Sequence, residues 1–219
     1  EVAVNTMGLM SYDLLNLGSR EFNYGTGFLR GDEFLCNTTA TFTLPTVSAN
    51  IVYEDTGEHL TEPHRIKEFD RFKVGLTGIV SKEYEESILN SNRINPREVL
   101  VLDEEVALRT EVSAIRKEVD ILVVLADMDL ETCETLVHEV EGIDIIICGE
   151  GNPNTPKPQT INGVYLVQPG PEGQHIGNLT IGLDQNNKIM NVENKLVALD
   201  DSISDKQEDI RTVLDIYSA

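Results

Sequence analysis

Three nearly continuous runs of Val, Ile and Leu constrain the fold of this chain more than any other feature. They cover Lys73–Val80, Asp120–Ala126 and Ile143–Cys148, and such runs are typical of strands that are buried on both faces of a sheet. Amphipathic stretches at Glu104–Glu118 and Leu130–Val140 separate them, and each places its apolar residues on one helical face. Strands that alternate with helices pair in parallel through right-handed crossovers. The sequence therefore predicts an α/β domain built on a parallel sheet.

Shorter patterns predict the elements around this sheet. Alternating residues on both sides of Asp184–Asn187 indicate an antiparallel hairpin. The segment Gly25–Leu44 has no clear period, and we interpret it as a loop or an insertion. The other predicted elements are a helix at Met7–Leu15, a brief strand around Leu17, strands at Thr46–Tyr53, Arg65–Glu68, Val164–Gln168, His175–Leu183 and Lys188–Val197, and an amphipathic C-terminal helix within 203–219. A length of 219 residues suffices for one such domain.

The charge of the chain excludes two classes of partner. The formal charge is −21, from 17 Lys and Arg against 38 Asp and Glu. A surface this acidic repels phosphate backbones and anionic lipids, so we expect no nucleic-acid partner. We also expect no membrane insertion, because no apolar run approaches the roughly 20 residues that span a bilayer.

Three cysteines, Cys36, Cys133 and Cys148, lie far apart and form none of the paired motifs of zinc or haem sites. We interpret them as buried free thiols, because Cys is among the most buried residue types. The alternative is that two of them pair in an oxidising compartment.

Polar side chains follow the carboxyl end of each predicted strand. In open α/β sheets, binding sites form outside this edge. Asp129 is better explained as the N-cap of the following helix than as a ligand. If the chain carries a site, we expect it among Arg20, Glu21, Asp127, Asp129, Glu150, Asn152 and His175.

Seven segments of the chain carry motifs that occur together, in this order, in one protein family. They are Met10–Asp13, Leu17–Gly25, Ser48–Ile51, Lys73–Ile79, Val119–Asp129, Gly142–Asn152 and Leu166–Gly177. They resemble the GYD, GNHEFDYG, SANI, KVGLIGI, VDVIVVLSHLG, GIDVIIGGHTH and LVQAGEYGQYVG motifs of the 5′-nucleotidase and UDP-sugar hydrolase family, whose metallophosphoesterase domain belongs to the calcineurin-like superfamily. The resemblance covers about Val4 to Leu199, with gaps around Gly25–Leu44.

The resemblance implies a mixed β-sandwich that is flanked by helices. It also implies that residues 1–219 form one partial domain, because the family's N-terminal DxH and GD motifs and their strands have no counterpart here. Parallel strands that are buried on both faces do not tolerate an uncovered apolar edge. We therefore expect another protein chain, a dimer partner or an N-terminal segment outside these residues to cover the sheet edge.

The family holds two metal ions with Asp, His and Asn ligands, and this chain differs at the corresponding positions. The resemblance maps an Asn ligand to Ser19 and the catalytic His to Arg20, and it maps three His ligands to Asp127, Glu150 and Asn152. A dinuclear site that generates hydroxide needs nitrogen ligands, so we expect these positions to be inactive and no cofactor to bind. The alternatives are a single Ca²⁺ or Mg²⁺ on the last three residues, or a dinuclear Mn, Zn or Fe site.

Two side chains of this edge allow more than one interpretation. We favour a structural salt bridge between Arg20 and Asp127 or Glu150; recognition of a ligand anion and an outward, solvated position are the alternatives. We interpret His175 as a hydrogen-bonded loop residue, and its functional alternative is a change of charge near neutral pH. Glu21 belongs to the edge of the site without an assigned role.

Three functions fit this sequence. We favour a non-catalytic metallophosphoesterase-fold domain, a pseudoenzyme that acts as a structural or interaction module in a periplasmic or extracellular assembly. The second is a metal-dependent, 5′-nucleotidase-like phosphohydrolase completed by residues outside this chain. The third is an enzyme of altered chemistry with one hard cation at Asp127, Glu150 and Asn152. The changed ligand positions favour the first function.

Overall fold

A computed structural model describes residues 6–8, 10–24, 29–30, 33–35, 43–90, 98–151 and 154–203. Its helices are α1 Glu85–Leu89, α2 Glu104–Ile115 and α3 Leu130–Glu139, and 3₁₀ turns cover Glu21–Tyr24, Lys82–Tyr84 and Arg116–Glu118. Its strands are β1 Leu15–Asn16, β2 Leu29–Arg30, β3 Glu33–Leu35, β4 Thr43–Val47, β5 Ile51–Tyr53, β6 His64–Glu68, β7 Lys73–Val80, β8 Val99–Val101, β9 Ile121–Asp127, β10 Ile145–Cys148, β11 Gln159–Ile161, β12 Val164–Val167, β13 His175–Leu183 and β14 Ile189–Ala198.

A six-stranded sheet forms the centre of the fold, in the order β11–β12–β10–β9–β7–β6. The four inner strands run parallel to one another, and the edge strands β11 and β6 pair antiparallel to their neighbours. The three apolar runs of the sequence are β7, β9 and β10, which are adjacent and parallel as predicted. Their carboxyl ends therefore lie at one edge of the sheet.

Helices α2 and α3 pack against one face of this sheet. Asp103 and Asp129 cap them: each carboxylate accepts a hydrogen bond from the backbone N–H three residues further on, at 3.0 and 2.8 Å, which confirms the predicted cap of α3. Such caps contribute about 1 kcal/mol each. None of the described helices has the length and apolar character needed to cross a membrane. The apolar residues that the two helices bury are Ala107, Leu108, Val112, Ile115, Cys133, Leu136 and Val137.

The hairpin of β13 and β14 lies on the opposite face and completes the predicted sandwich. The two strands pair antiparallel along their whole length. Among the described residues of this layer, Ile121, Val123 and Ile145 are fully buried. A larger apolar set around them is only partly buried: Phe72, Val74, Leu76, Leu125, Ile147, Tyr165, Leu179, Ile181, Leu183 and Ile189. We call these buried and partly buried residues together the hairpin face. Because β13 and β14 are only two strands, they leave much of this apolar surface partly exposed.

Two smaller sheets, β1–β4–β3–β2 and β5–β8, complete the described fold. Asn50, which is fully buried between β4 and β5, ties them to the central sheet. Its Nδ2 donates to the carbonyl oxygens of Val80 and Leu102, at 2.7 and 3.1 Å, and its Oδ1 accepts from the Val80 N–H at 3.0 Å. One amide side chain therefore fixes the end of β7 against the residue that follows β8.

Some predicted elements need correction. The helix predicted at Met7–Leu15 is correct only at its start, because Met7 and Gly8 are helical, whereas Ser11 has a φ of +56° and β1 begins at Leu15; a right-handed helix does not accommodate a positive φ. The loop at Gly25–Leu44 is wrong in part, because β2, β3 and the start of β4 lie within it. Strands of two or three residues are too short to show an alternation in the sequence.

Other predicted boundaries shift by a few residues. The strand at Thr46–Tyr53 is two strands, because the chain leaves the extended pairing at Ser48–Asn50. The helix that begins at Glu104 continues beyond Ile115 only as a 3₁₀ turn. The predicted C-terminal helix lies outside the described residues, apart from Ile203.

Candidate functional site

A cleft of about 540 Å³ opens at the carboxyl edge of the parallel strands. Segments that follow β1, β10 and β12 line it, together with the last residue of β9. The lining residues are Arg20, Glu21, Asp127, Gly149, Glu150, Gly151, Pro169, Gly170, Pro171, Glu172, Gly173 and His175. The fold thus gathers five of the candidate side chains around one space. Ser19 and Asp129 lie beside this lining, and Asn152 lies outside the described residues.

The turn after β1 is bound to the end of β9. The Ser19 N–H donates to Asp127 Oδ2 at 2.7 Å, and the Gly18 N–H donates to Glu21 Oε2 at 2.9 Å. A Cβ at Gly18 would stand 2.7 Å from Asp127 Oδ2 and 3.1 Å from Glu21 Oε2, so a larger residue there requires the Asp127 side chain to move. Ser19 therefore holds Asp127 through its backbone.

Glu21 is a carboxyl group in a largely buried place. Burial raises its pKa above the ordinary value, and the negative charge of Asp127 raises it further. The hydrogen bond from the Gly18 N–H opposes both effects without cancelling them. The neutral form of Glu21 is therefore favoured more than that of an exposed glutamate.

The loop after β10 is held by two side chains. The Tyr84 hydroxyl donates to Glu150 Oε2, and Gln168 Nε2 donates to the carbonyl oxygens of Glu150 and Gly151, each at 2.6 Å. Burial raises the pKa of Tyr84, and its bond to the negatively charged Glu150 adds to this, so the phenol stays a donor. Glu150 is thus engaged by the protein itself.

The structure contradicts the favoured interpretation of Arg20. Its side chain is exposed at the cleft, and within the described residues no carboxylate lies at ion-pair distance from it. The physical reason is that Asp127 and Glu150 accept hydrogen bonds from Ser19 and Tyr84 instead.

His175 also differs from its interpretation. It is the first residue of β13 rather than a loop residue. Its Nδ1 is buried and has no hydrogen-bond partner in the described part of the chain.

Sequence reasoning missed Tyr84, Gln168 and Gly18. Tyr84 follows the end of β7 by four residues, at the same sheet edge as the other candidates, so a longer reading past Val80 would have included it. Gln168 directly follows β12, and its role depends on a side chain that turns back under the neighbouring loop. The described ranges contain no group of three or more His, Cys, Asp or Glu side chains arranged to hold a metal ion.

Comparison with known proteins gives this fold a family context. The chain is 30% identical over 207 residues to the 2′,3′-cyclic-nucleotide 2′-phosphodiesterase/3′-nucleotidase of Salmonella typhimurium, covering 80% of this chain and 30% of that protein. It is 25% identical over 231 residues to the 5′-nucleotidase of Diplobatis ommata, covering 92% and 37%. The crystal structure of the calcineurin-like phosphoesterase YfkN from Bacillus subtilis superposes with a TM-score of 0.77 at 20% identity, covering 99% of this chain and 72% of that one.

The chain thus has the calcineurin-like metallophosphoesterase fold, and its sequence relatives are phosphoesterases of the 5′-nucleotidase type. No protein-family model matches the sequence. The chain spans about a third of the length of the two curated relatives.

Proposed function

We propose that this chain is a non-catalytic domain with the metallophosphoesterase fold, a pseudoenzyme that acts as a structural or interaction module. One observation carries the proposal: the cleft carboxylates of Glu21, Asp127 and Glu150 each accept a hydrogen bond from the protein. The donors are two backbone N–H groups and one phenol. These donors occupy carboxylate oxygens that a metal site would use.

The donor set of the cleft does not fit the dinuclear metal centre that the resemblance implies. Such a centre needs several nitrogen ligands, and the described lining offers one imidazole, that of His175. Arg20 stands where the family has its catalytic histidine. A unit charge a few ångströms from a dication repels it by several kcal/mol at an effective dielectric constant of about 20.

Hydrolysis assays test the proposal directly. The substrates are p-nitrophenyl phosphate, AMP and UDP-glucose, with and without Mn²⁺, and we expect no turnover above the background rate. A Ser19→Asn, Arg20→His variant, which restores two family residues, serves as the matched comparison. Turnover by the unaltered chain that a chelator abolishes would contradict the proposal. Equal inactivity of both proteins would place the defect elsewhere than at Arg20.

A metal-dependent phosphohydrolase, completed by residues outside this chain, is the second candidate. The printed activities of the two curated relatives favour it. Elemental analysis of the purified protein separates the possibilities. Two equivalents of Mn, Zn or Fe support the hydrolase, and one equivalent of Ca or Mg that a Glu150→Gln variant loses supports a single hard-cation site with Asp127.

We further propose that another polypeptide segment covers the hairpin face, in an assembly outside the cytoplasm. The ten apolar residues of this layer that are only partly buried support a covering segment, because a contiguous exposed apolar surface marks an interaction site. The segment comes from a second protein chain or from an N-terminal segment of a longer polypeptide. If residues 1–219 are monomeric by light scattering and bind no apolar dye, this covering surface is wrong.

A further inference from the structure

The two faces of the central sheet are packed to different degrees. The face under α2 and α3 is a large apolar core, in which Cys133 and Cys148 are buried free thiols, as the sequence predicted; Cys36 lies outside the described residues. The opposite face, under the hairpin of β13 and β14, contains a pocket of about 180 Å³. Four of its lining residues are apolar: Ile147, Val167, Pro169 and Leu179.

Gly177 creates the space for this pocket. Side chains of a strand alternate between its two faces, so Gly177 faces the central sheet together with Leu179 and Ile181, whose side chains pack there. At Gly177 a side chain is missing from this row. Within 4 Å, a Cβ at Gly177 would meet only Asn194 Oδ1, at 3.7 Å. Gly177 is also exposed, so the pocket is open to solvent beside it.

One buried acceptor adjoins the pocket. Gln168 is 1% exposed, and its Nε2 donates to the carbonyl oxygens of Glu150 and Gly151. Its Oε1 is buried and has no hydrogen-bond partner in the part of the chain that the structure describes. Gln168 lines this pocket and does not line the cleft. Because a buried acceptor without a partner is destabilising, a hydrogen-bond donor in the pocket is favoured.

Thr155 holds the two polar walls of the pocket in place. Its N–H donates to the Gln168 carbonyl oxygen at 2.9 Å, and its Oγ1 accepts from the Gln168 N–H at 2.6 Å. Its carbonyl oxygen accepts from Asn194 Nδ2 at 2.7 Å. The pocket is therefore formed before a ligand enters it, which lowers the cost of binding.

We propose that this pocket binds a small aromatic ligand that carries one hydroxyl group, of which phenol is the simplest. An apolar cavity of about 150 Å³ accommodates benzene, so a pocket of about 180 Å³ holds one six-membered ring with a hydroxyl. The apolar walls contact the ring, and the hydroxyl donates to Gln168 Oε1. A rigid ring also loses less conformational freedom on binding than an alkyl chain of the same size.

The lining also determines the charge of the ligand. None of the described residues that line the pocket is charged. An ionised ligand would lose its hydration there without gaining a partner of opposite charge. The neutral phenol is therefore bound in preference to a phenolate or an aromatic acid.

Titration of the full chain with phenol, followed by ¹H–¹⁵N NMR, tests the proposal. We expect saturable shifts of the backbone signals of Gly177, Leu179 and Asn194. Toluene is the comparison probe, because it has the same shape as phenol without the hydroxyl, and it should shift the same signals.

Two variants separate the contributions of shape and of the hydrogen bond. Gly177→Val places a side chain in the pocket and should abolish the binding of both probes. Gln168→Met keeps the length of the side chain without the acceptor, and it should weaken phenol about five- to tenfold relative to toluene. Thr180→Val, at an exposed position on the other face of β13, is the matched control and should change neither affinity.

N-acetyl-L-tyrosinamide identifies the source of the ring. If it shifts the same signals as phenol, the ligand is a tyrosine side chain of a polypeptide segment that covers the hairpin face; if only phenol does, the ligand is a free small molecule. Absence of saturable shifts with phenol would overturn the proposal and leave a buried water as the partner of Gln168 Oε1. Binding that Gly177→Val does not reduce, or a preference for phenol over toluene that Gln168→Met leaves unchanged, would also overturn it.

Discussion

The substitution Asn50→Ala tests how much the buried Asn50 side chain contributes to the stability of the fold. The fully buried Asn50 side chain makes three hydrogen bonds, two to Val80 and one to Leu102. Alanine removes all three and leaves one backbone N–H and two carbonyl oxygens without partners.

The magnitude follows from these three groups. A buried polar group that loses its partner costs about 1–3 kcal/mol, and a water in the vacated space offsets part of this. We expect a loss of about 3–6 kcal/mol in the free energy of unfolding, against a total of roughly 5–15 kcal/mol for a domain. At roughly 2–4 °C per kcal/mol for a chain of this size, the melting temperature should fall by about 6–24 °C.

Urea titration followed by circular dichroism measures this loss. Asn191→Ala, at an exposed position of β14, is the matched control and should change stability by less than about 0.5 kcal/mol. Asn50→Asp keeps the acceptor but loses both donated bonds, and it also buries a charge, so it should be no more stable than the alanine variant. A loss below about 1 kcal/mol for Asn50→Ala, with the native spectrum retained, would refute the reasoning.

Four further substitutions have expected outcomes. Gly18→Ala should destabilise the chain by about 1–3 kcal/mol in urea titration, because a Cβ there stands 2.7 Å from Asp127 Oδ2. Glu21→Gln should stabilise the chain at neutral pH but not at acidic pH. Burial raises the pKa of Glu21, so protonated Glu21 contributes its full stabilisation below the ordinary glutamate pKa, and this contribution is lost as the pH rises through the raised pKa. Glutamine stays neutral at every pH and therefore avoids this loss. Tyr84→Phe should lower the free energy of unfolding at neutral pH by about 1–2 kcal/mol, and it should remove one late-ionising phenol from an alkaline absorbance titration. The pKa of Tyr84 is raised, so the stabilisation by the neutral phenol is fully present below the ordinary tyrosine pKa. It is lost as the pH rises through the raised pKa. Leu108→Ala, on the buried face of α2, should lower the free energy of unfolding by about 2–5 kcal/mol.

The central sheet could be predicted because long, periodic patterns determine it. Strands β7, β9 and β10 are nearly continuous apolar runs, and each crossover helix has a cap and an apolar stripe. The segment before β4 could not be predicted, because β2 and β3 have only two or three residues each, and they are held by pairing with one another and with β4 rather than by a pattern of their own. The helix predicted at Met7–Leu15 is correct at Met7 and Gly8 but ends early, because the backbone at Ser11 has a positive φ that its apolar spacing does not reveal.

The candidate site could be predicted in position but not in its contacts. Arg20, Asp127, Glu150 and His175 surround one cleft because strand polarity brings loop ends together. Their partners are backbone groups and a phenol from a separate turn, and pairing by charge alone pointed to the wrong ones. The choice between Arg20 and Tyr84 as the partner of Glu150 depends on angstrom-scale geometry that no spacing in the sequence encodes.

The placement of the cleft beyond the strand ends has an evolutionary consequence. Arg20, Asp127, Glu150, Glu172 and His175 belong to none of the apolar cores in the described part of the chain. Mutations at these positions alter the chemistry of the cleft while leaving the packing that drives folding in place. Selection can therefore change the chemistry of the cleft while the apolar packing is kept, and at Asp127 and Glu150 the cost is limited to the hydrogen bonds that these carboxylates accept.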